Sequence, residues 1–360
     1  MNILVVGKFY AEGFALHIAE TLSTGGHSVR RFEPGYRHAT FQEGLGHHFH
    51  KVGRVLHLAI DSVPAAHKYQ MKALWQRADE GPLDVIIVCH DFLRSEEVAE
   101  LKRRTGAEVA LWFPDHLANF GKAFFMNCPY DALFFKDPYI VKTLNGVLRS
   151  PVYYLPEAFN PDRHCLPAGA VLDKDYNCDI ATAGNSHSWR VALYNHLTDW
   201  DVKIWGAPPP LWMSMGAVGR MYQGRSVHNA QKAQAFLGAK IVLNNLHYAE
   251  IVGVNVRTFE AAGIGAFQML DWRPGLRQLF EDGHELISFK GIDDLKTKIR
   301  YWLDRPDERK IIADAGKRRA YSDHTYALRL SLLLKSLAQR ASGYPIEASF
   351  ANSFVSAGGS

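Results

Sequence analysis

At 360 residues, 47% hydrophobic and 22% charged, the chain is long enough for two domains, each burying about 70% of its unfolded surface without disulfides or a metal. A formal charge of +4, from 41 basic and 37 acidic residues, falls short of the clustered basic face of a nucleic-acid binder. Cys89, Cys128, Cys165 and Cys178 lie far apart and form no CxxC pair, which argues against a disulfide framework or a zinc site and for a reduced, cytosolic protein. No basic region precedes the first apolar run, and no stretch reaches the roughly 20 apolar residues of a membrane span. The expected location is cytoplasmic, with peripheral contact to a membrane surface left open.

Residues 3–6 read as a short strand ended by Gly7, and a helical pattern through Ala15, Ile18, Ala19 and Leu22 follows the loop at Gly13. Residues 28–32 read as the next strand. Strand, glycine turn, helix, strand is the start of a doubly wound parallel sheet. Buried strands are expected at 84–89, 109–113 and 132–135, with a charged helix at 95–104 and mainly helices over 36–80. A further strand near 151–156 leads into a passage marked by Pro161, Pro167 and Gly169, where the domain boundary is placed. The pattern then restarts, with strands at 178–183, 202–205, 239–244, 266–270 and 286–289. Helices alternate with them around Arg190 and at 231–237, 255–262, 293–303 and 307–319. The domains expected are 1–165 and 166–325, then a C-terminal helix at 326–342 and a flexible tail at 343–360.

Three features of the second domain suit a nucleotide. A helix beginning near Asn255 carries Arg257 and Glu260 in its early turns and ends at Gly263 and Gly265. Its free N–H groups suit a diphosphate, and a carboxylate on it suits two ribose hydroxyls. The turn Gly184-Asn185 after the domain's first strand lets a ligand approach the backbone, with Arg190 behind it to cover phosphate charge. Trp205-Gly206, at another strand end, suits a nucleobase.

The order of these motifs carries a resemblance. Gly7, Trp112-Phe113-Pro114-Asp115, Tyr154-Leu155-Pro156 with Asn160-Pro161, Trp205-Gly206, the segment 240–244 and Asn255 to Ala261 follow as in the CgeB-like glycosyltransferases of the spore maturation protein type. The C-terminal half is similar to the broader retaining GT-B transferases. The resemblance implies an α/β protein of GT-B type, with two Rossmann-like domains facing a central cleft and a C-terminal helix returning to the first. It implies a nucleoside-diphosphate sugar in the second domain, no obligatory metal or other cofactor, Glu260 at the ribose, and Arg257 and Arg190 near the diphosphate. It also implies one departure: Val252 stands where such enzymes often carry a glutamate eight residues before the ribose one, while Glu250 sits slightly earlier.

The first domain should then bring a hydroxyl acceptor, whether glycan, lipid-linked glycan or protein, and a base. The candidates sit at strand ends: His90-Asp91 and Asp115-His116, with Lys136-Asp137 a weaker pair. Gly7 and Gly13 let the first loop approach the donor phosphates. The loop between them is neither GxGxxG nor a Walker sequence. His47, His48 and His50 look like a metal cluster, but adjacent side chains diverge and carboxylate partners are missing. Asp173-Lys174-Asp175 and Asp199-Trp200-Asp201 read as solvated turns. The expected activity is sugar transfer from a nucleoside-diphosphate sugar in polysaccharide or glycoconjugate biosynthesis. A sugar-nucleotide epimerase and a non-catalytic sugar-nucleotide-binding assembly protein are the alternatives.

Overall fold

The computed structural model describes residues 1–34 and 64–341. The histidines at 47, 48 and 50, most of the region expected as helices over 36–80, and the tail lie outside them. The chain divides into two compact units. The first comprises Met1–Pro114, Phe120–Phe134 and Leu144–Tyr153; the second comprises Asp115–Asn119, Phe135–Thr143 and Tyr154–Ser360. Asp115 and His116 thus group with the second unit, although sequence order places them amid the first.

The first sheet runs β1 (Asn2–Val6), β2 (Ser28–Phe32), β3 (Val85–Cys89), β4 (Glu108–Phe113), β5 (Ala132–Phe135) and β6 (Val152–Tyr154), in the spatial order β2-β1-β3-β4-β5-β6. β1 pairs in parallel with β2 and β3, and β3 with β4. β3 is buried along its whole length, as a parallel strand covered on both faces must be. The edge strand β2 carries Arg30 and Arg31, charges that discourage pairing with another chain. Helices α1 (Phe14–Thr24), α2 (Pro64–Ala78), α3 (Ser95–Thr105) and α4 (Pro138–Leu144) alternate with these strands.

The second sheet contains β7 (Cys178–Ala183), β8 (Val202–Trp205), β9 (Ala239–Asn244), β10 (Gln268–Asp271) and β11 (Ile287–Phe289), in the order β11-β10-β9-β7-β8. All four pairings are parallel. Helices α5 (Ser188–Tyr194), α6 (Ala230–Leu237), α7 (Val256–Ile264), α8 (Gly291–Leu303), α9 (Pro306–Asp323) and α10 (Tyr326–Ala341) complete the unit. The C-terminal helix α10 is counted within this unit, where Arg329 Nε donates to Pro156 O at 3.3 Å.

Both sheets begin 2-1-3 in local strand order, so the direction of winding reverses between the first and third strands of each. Ligands of open α/β sheets bind at such a reversal, beyond the carboxyl ends of the strands. In the second unit that point lies between β7 and β9.

The local sequence explains how α7 is set there. Asn255 caps it, its Oδ1 accepting Thr258 N–H at 3.3 Å. Gly265 ends it at φ +89°, with Gly265 N–H donating to Ala262 O and Ala266 N–H to Ala261 O. That pair of bonds needs a left-handed residue, which glycine supplies without strain. Gly263, expected at the same turn, lies inside the helix instead. A Cβ there would overlap the ring of Phe159, so its role is close packing.

Candidate functional site

The reversal point of the second sheet is filled with polar groups. β7 ends at Gly184, whose φ of +125° is a glycine conformation and whose N–H donates to Trp205 O at 2.8 Å. A Cβ on Gly184 would overlap the Arg257 guanidinium and sit 3.3 Å from Arg190 Nη1. A Cβ on Gly206 would overlap the Gly184 carbonyl. The two glycines therefore let the ends of β7 and β8 close on each other and admit two arginines beside them.

Arg190, on α5, is 3% exposed. Its Nε donates to Asn245 Oδ1 and its Nη1 to Asn185 O, both at 3.0 Å. Arg257 is half-buried and donates from Nη1 to Asn244 Oδ1 at 2.9 Å. Asn244 also joins Asn255 and Thr258 in one hydrogen-bonded group. Every one of these acceptors is neutral. Burial and the neighbouring Arg257 charge push the Arg190 guanidinium down to about 9, and burial also lowers that of Arg257. Two like charges in a shielded place, bonded only to amides and carbonyls, repel each other; an anion between them relieves that repulsion. Asn245 adds a further donor, since its Nδ2 is buried without a hydrogen-bond partner.

Glu260 is buried as well. Its Oε1 accepts from Lys232 Nζ at 3.0 Å and lies 3.5 Å from His164 Nε2. Trp205 is placed differently from the sequence expectation. Its indole packs with Tyr176, Val227, Ala233 and Phe236 in a core cluster, with Arg225 over the ring, and its backbone carbonyl is taken by Gly184. The residue shapes the strand end from inside.

The loop between β9 and α7 is held rigidly. One oxygen of Asp137 accepts the N–H groups of Ile251, Val252 and Gly253 at 3.0–3.1 Å. Arg273 Nε donates to Glu250 O, and Gly275 N–H to Val252 O. Glu250 is 3% exposed and pairs with Lys136 Nζ at 2.7 Å; Glu157 Oε2 lies 3.4 Å from the same ammonium. Burial raises the Glu157 carboxyl to about 8, against the pull of Lys136.

Three imidazoles lie together, His187 and His247 of them next to the arginines. His116 and His247 stack face to face, with centroids 4.2 Å apart and planes within 3°, and His187 meets His247 edge-on at 5.0 Å. Of these only His116 stands out in the sequence. His187, His247, Asn245 and Lys232 do not, although Asn245 directly follows the third strand of the unit, where a reversal-point ligand would sit.

In the first unit, Gly7 packs against Ala15 and Cys89: a Cβ there would lie 2.5 Å from the Cβ of Ala15 and 3.0 Å from that of Cys89. Gly13 caps α1 without a side chain, and a Cβ there would lie 2.7 Å from Tyr10 O. Asp91 spends both carboxylate oxygens on the backbone N–H groups of Phe124 and Phe125, at 2.7 and 2.9 Å. His90 sits at φ +90° with Nδ1 2.8 Å from Cys89 O. A non-glycine residue pays conformational strain to stay there. Because a carbonyl only accepts, that contact places the proton of the neutral ring on Nδ1 and the lone pair on Nε2.

Residues 188–335 match the sequence profile of a family described as glycosyl transferase-like. No curated protein matches the chain. Among solved structures, the fold is similar to a sucrose-phosphate synthase from Thermosynechococcus elongatus, with 12% identity, a TM-score of 0.62, and 94% of this chain and 100% of that one covered. It is similar to a glycosyltransferase from Rickettsia africae, with 11% identity, a TM-score of 0.64 and coverage of 94% and 98%. It is also similar to Anabaena HepE in complex with UDP, with 12% identity, a TM-score of 0.62 and coverage of 94% and 100%. These likenesses extend along nearly the whole chain and show a GT-B fold of two parallel α/β sheets. No helix among the described residues is long and apolar enough to cross a membrane.

Proposed function

We propose that the protein transfers a sugar from a nucleoside-diphosphate sugar to a hydroxyl acceptor. The observation that carries this is the pair of guanidiniums of buried Arg190 and half-buried Arg257, bonded only to neutral acceptors at the reversal point of the second sheet. That arrangement suits the diphosphate of a donor, and the match of residues 188–335 to a glycosyl transferase-like family agrees with it. As the sugar departs, negative charge grows on the diphosphate. Two arginines in a low-dielectric setting stabilise it where other enzymes use a metal ion. Transfer is therefore proposed to be metal-independent. Glu260, steadied by Lys232, is proposed to take the ribose hydroxyls.

The first unit is proposed to serve the acceptor. Of its candidates His90 and Asp91, His90 has the tautomer a general base needs, with its lone pair on Nε2; Asp115 and His116 group with the second unit. Asp91 is committed to the backbone. Burial lowers the affinity of His116 for a proton, so that ring is neutral at pH 7 and is the second choice.

A thermal-shift screen of nucleoside diphosphates and their sugars tests the reading. A ligand present at about 100 times its Kd should add about 2.7 kcal/mol of stability. A chain that binds none of them is not a sugar-nucleotide enzyme. Conversion of the donor without any acceptor would identify an epimerase instead, and tight binding without turnover a non-catalytic binding protein.

A further inference from the structure

The imidazoles beside the arginine pair are fixed in one tautomer by the backbone. His187 caps α5, its Nδ1 accepting Arg190 N–H at 3.3 Å. His247 Nδ1 accepts Ala249 N–H at 3.2 Å. A backbone N–H can only donate, so each Nδ1 carries a lone pair and each neutral ring carries its proton on Nε2. Among the described residues neither Nε2 has a protein hydrogen-bond partner. This is the reverse of His90, where a carbonyl holds the Nδ1 proton.

We propose that His187 and His247 are two further donors of the diphosphate site, each offering a neutral Nε2–H to a phosphate oxygen. The inference rests on the anion-site reading of Arg190 and Arg257 given above. A third and a fourth positive charge beside the two arginines would deepen their repulsion before the ligand arrives. Neutral N–H groups supply directional bonds without that cost.

The surroundings keep both rings neutral. His187 is faced by Arg190, His247, Arg257 and His116, and burial together with these neighbours holds it down to about 3. His247 is faced by His116, Lys136 and Arg190, with Glu250 opposing them, and burial is the largest cause of its lowered value. Protonating either Nδ1 would also break its backbone bond. Diphosphate binding through these groups should thus take up no proton.

The test separates the two nitrogens. His187→Asn and His247→Asn place an amide oxygen near the old Nδ1, keeping the backbone bond and removing the Nε2 donor. His187→Gln and His247→Gln reach the old Nε2 with an NH2 group and lose the Nδ1 bond. UDP and inorganic pyrophosphate are titrated calorimetrically against all five proteins in two buffers of different ionisation enthalpy. The Asn variants should each bind about tenfold more weakly, the loss of one charge-assisted bond. The Gln variants should stay within about threefold of wild type, and the buffer dependence of the heat should show no proton uptake between pH 6 and 8. Asn variants that bind like wild type, Gln variants weaker than the Asn ones, or proton uptake on binding would each overturn the inference alone. A wild-type protein that binds neither probe would refute the anion site itself.

Discussion

Two of the places where the second unit buries charge are built on opposite plans. Lys136 stands between Glu157 and Glu250, so its charge is answered from within the chain. Arg190 and Arg257 stand beside each other and are answered by amides and a carbonyl. A buried cation with its own carboxylates belongs to the fold, because removing either side strands the other. A cation pair without them weakens the fold, and we propose that it takes its counter-charge from a ligand. Burial of a charged group therefore says little about function until its partners are counted.

Removing the central charge of each cluster should split the two most sharply. Lys136→Met strands Glu157 and Glu250 in the interior without their cation, and should cost about 3–5 kcal/mol in urea-induced unfolding. Arg190→Met removes a repelling charge and keeps a buried stem of similar length. Its stability should be unchanged or higher by about 1 kcal/mol, while nucleoside-diphosphate binding falls about 10- to 100-fold with the loss of a charge-assisted contact. If Arg190→Met were as damaging to stability as Lys136→Met, the two clusters would be of one kind.

The pH dependence of the Lys136 cluster comes next in size. Glu157 has an ordinary value of 4.5 and is held at about 8 in the folded chain, chiefly by burial. Below pH 4.5 it is protonated whether the chain is folded or not. Between pH 4.5 and 8 the unfolded chain releases the proton and the folded chain retains it, so the stability this group contributes is lost across that window. Glu157→Gln cannot titrate, and relative to wild type it should gain up to about 4 kcal/mol between pH 5 and pH 9. Parallel stability profiles of the two proteins would show that Glu157 is already ionised at pH 5 and fully paired with Lys136.

The sequence made the scaffold of this comparison legible and most of its content illegible. The strand at 178–183 and the turn at Gly184 follow from local signals, a β-branched apolar run and a glycine, and both stand where expected. Arg190, Arg257 and Glu260 were visible through their spacing around helix starts. The Lys136–Glu250 pair joins residues 114 positions apart, and no local period encodes such a contact. Asp91 read as a candidate base because it follows a strand; only its two backbone bonds reveal it as the cap of the turn at residues 124–127. Trp205 read as a surface for a base because an aromatic at a strand end looks exposed, yet the sheet turns its ring inward. Tautomers are further removed still, since His187 and His247 take theirs from single backbone N–H groups.

The smallest change should convert one cluster into the other kind. Asn245 is 1% exposed, accepts from Arg190 Nε through Oδ1, and leaves Nδ2 buried without a partner. Asn245→Asp changes that NH2 group to an oxygen with little change in shape, and gives Arg190 a carboxylate of its own. The new ion pair and the removal of an unsatisfied donor should raise stability by about 1 kcal/mol. The same carboxylate competes with phosphate for the guanidinium and repels it, so diphosphate affinity should fall about tenfold. Both shifts are required, because they share one cause: a cation held for a ligand loses that use once the chain supplies its own counter-ion. An Asn245→Asp protein that gained stability yet bound nucleotide unchanged would place the diphosphate elsewhere on the second unit, and Arg190 would then be an internal charge still without an explanation.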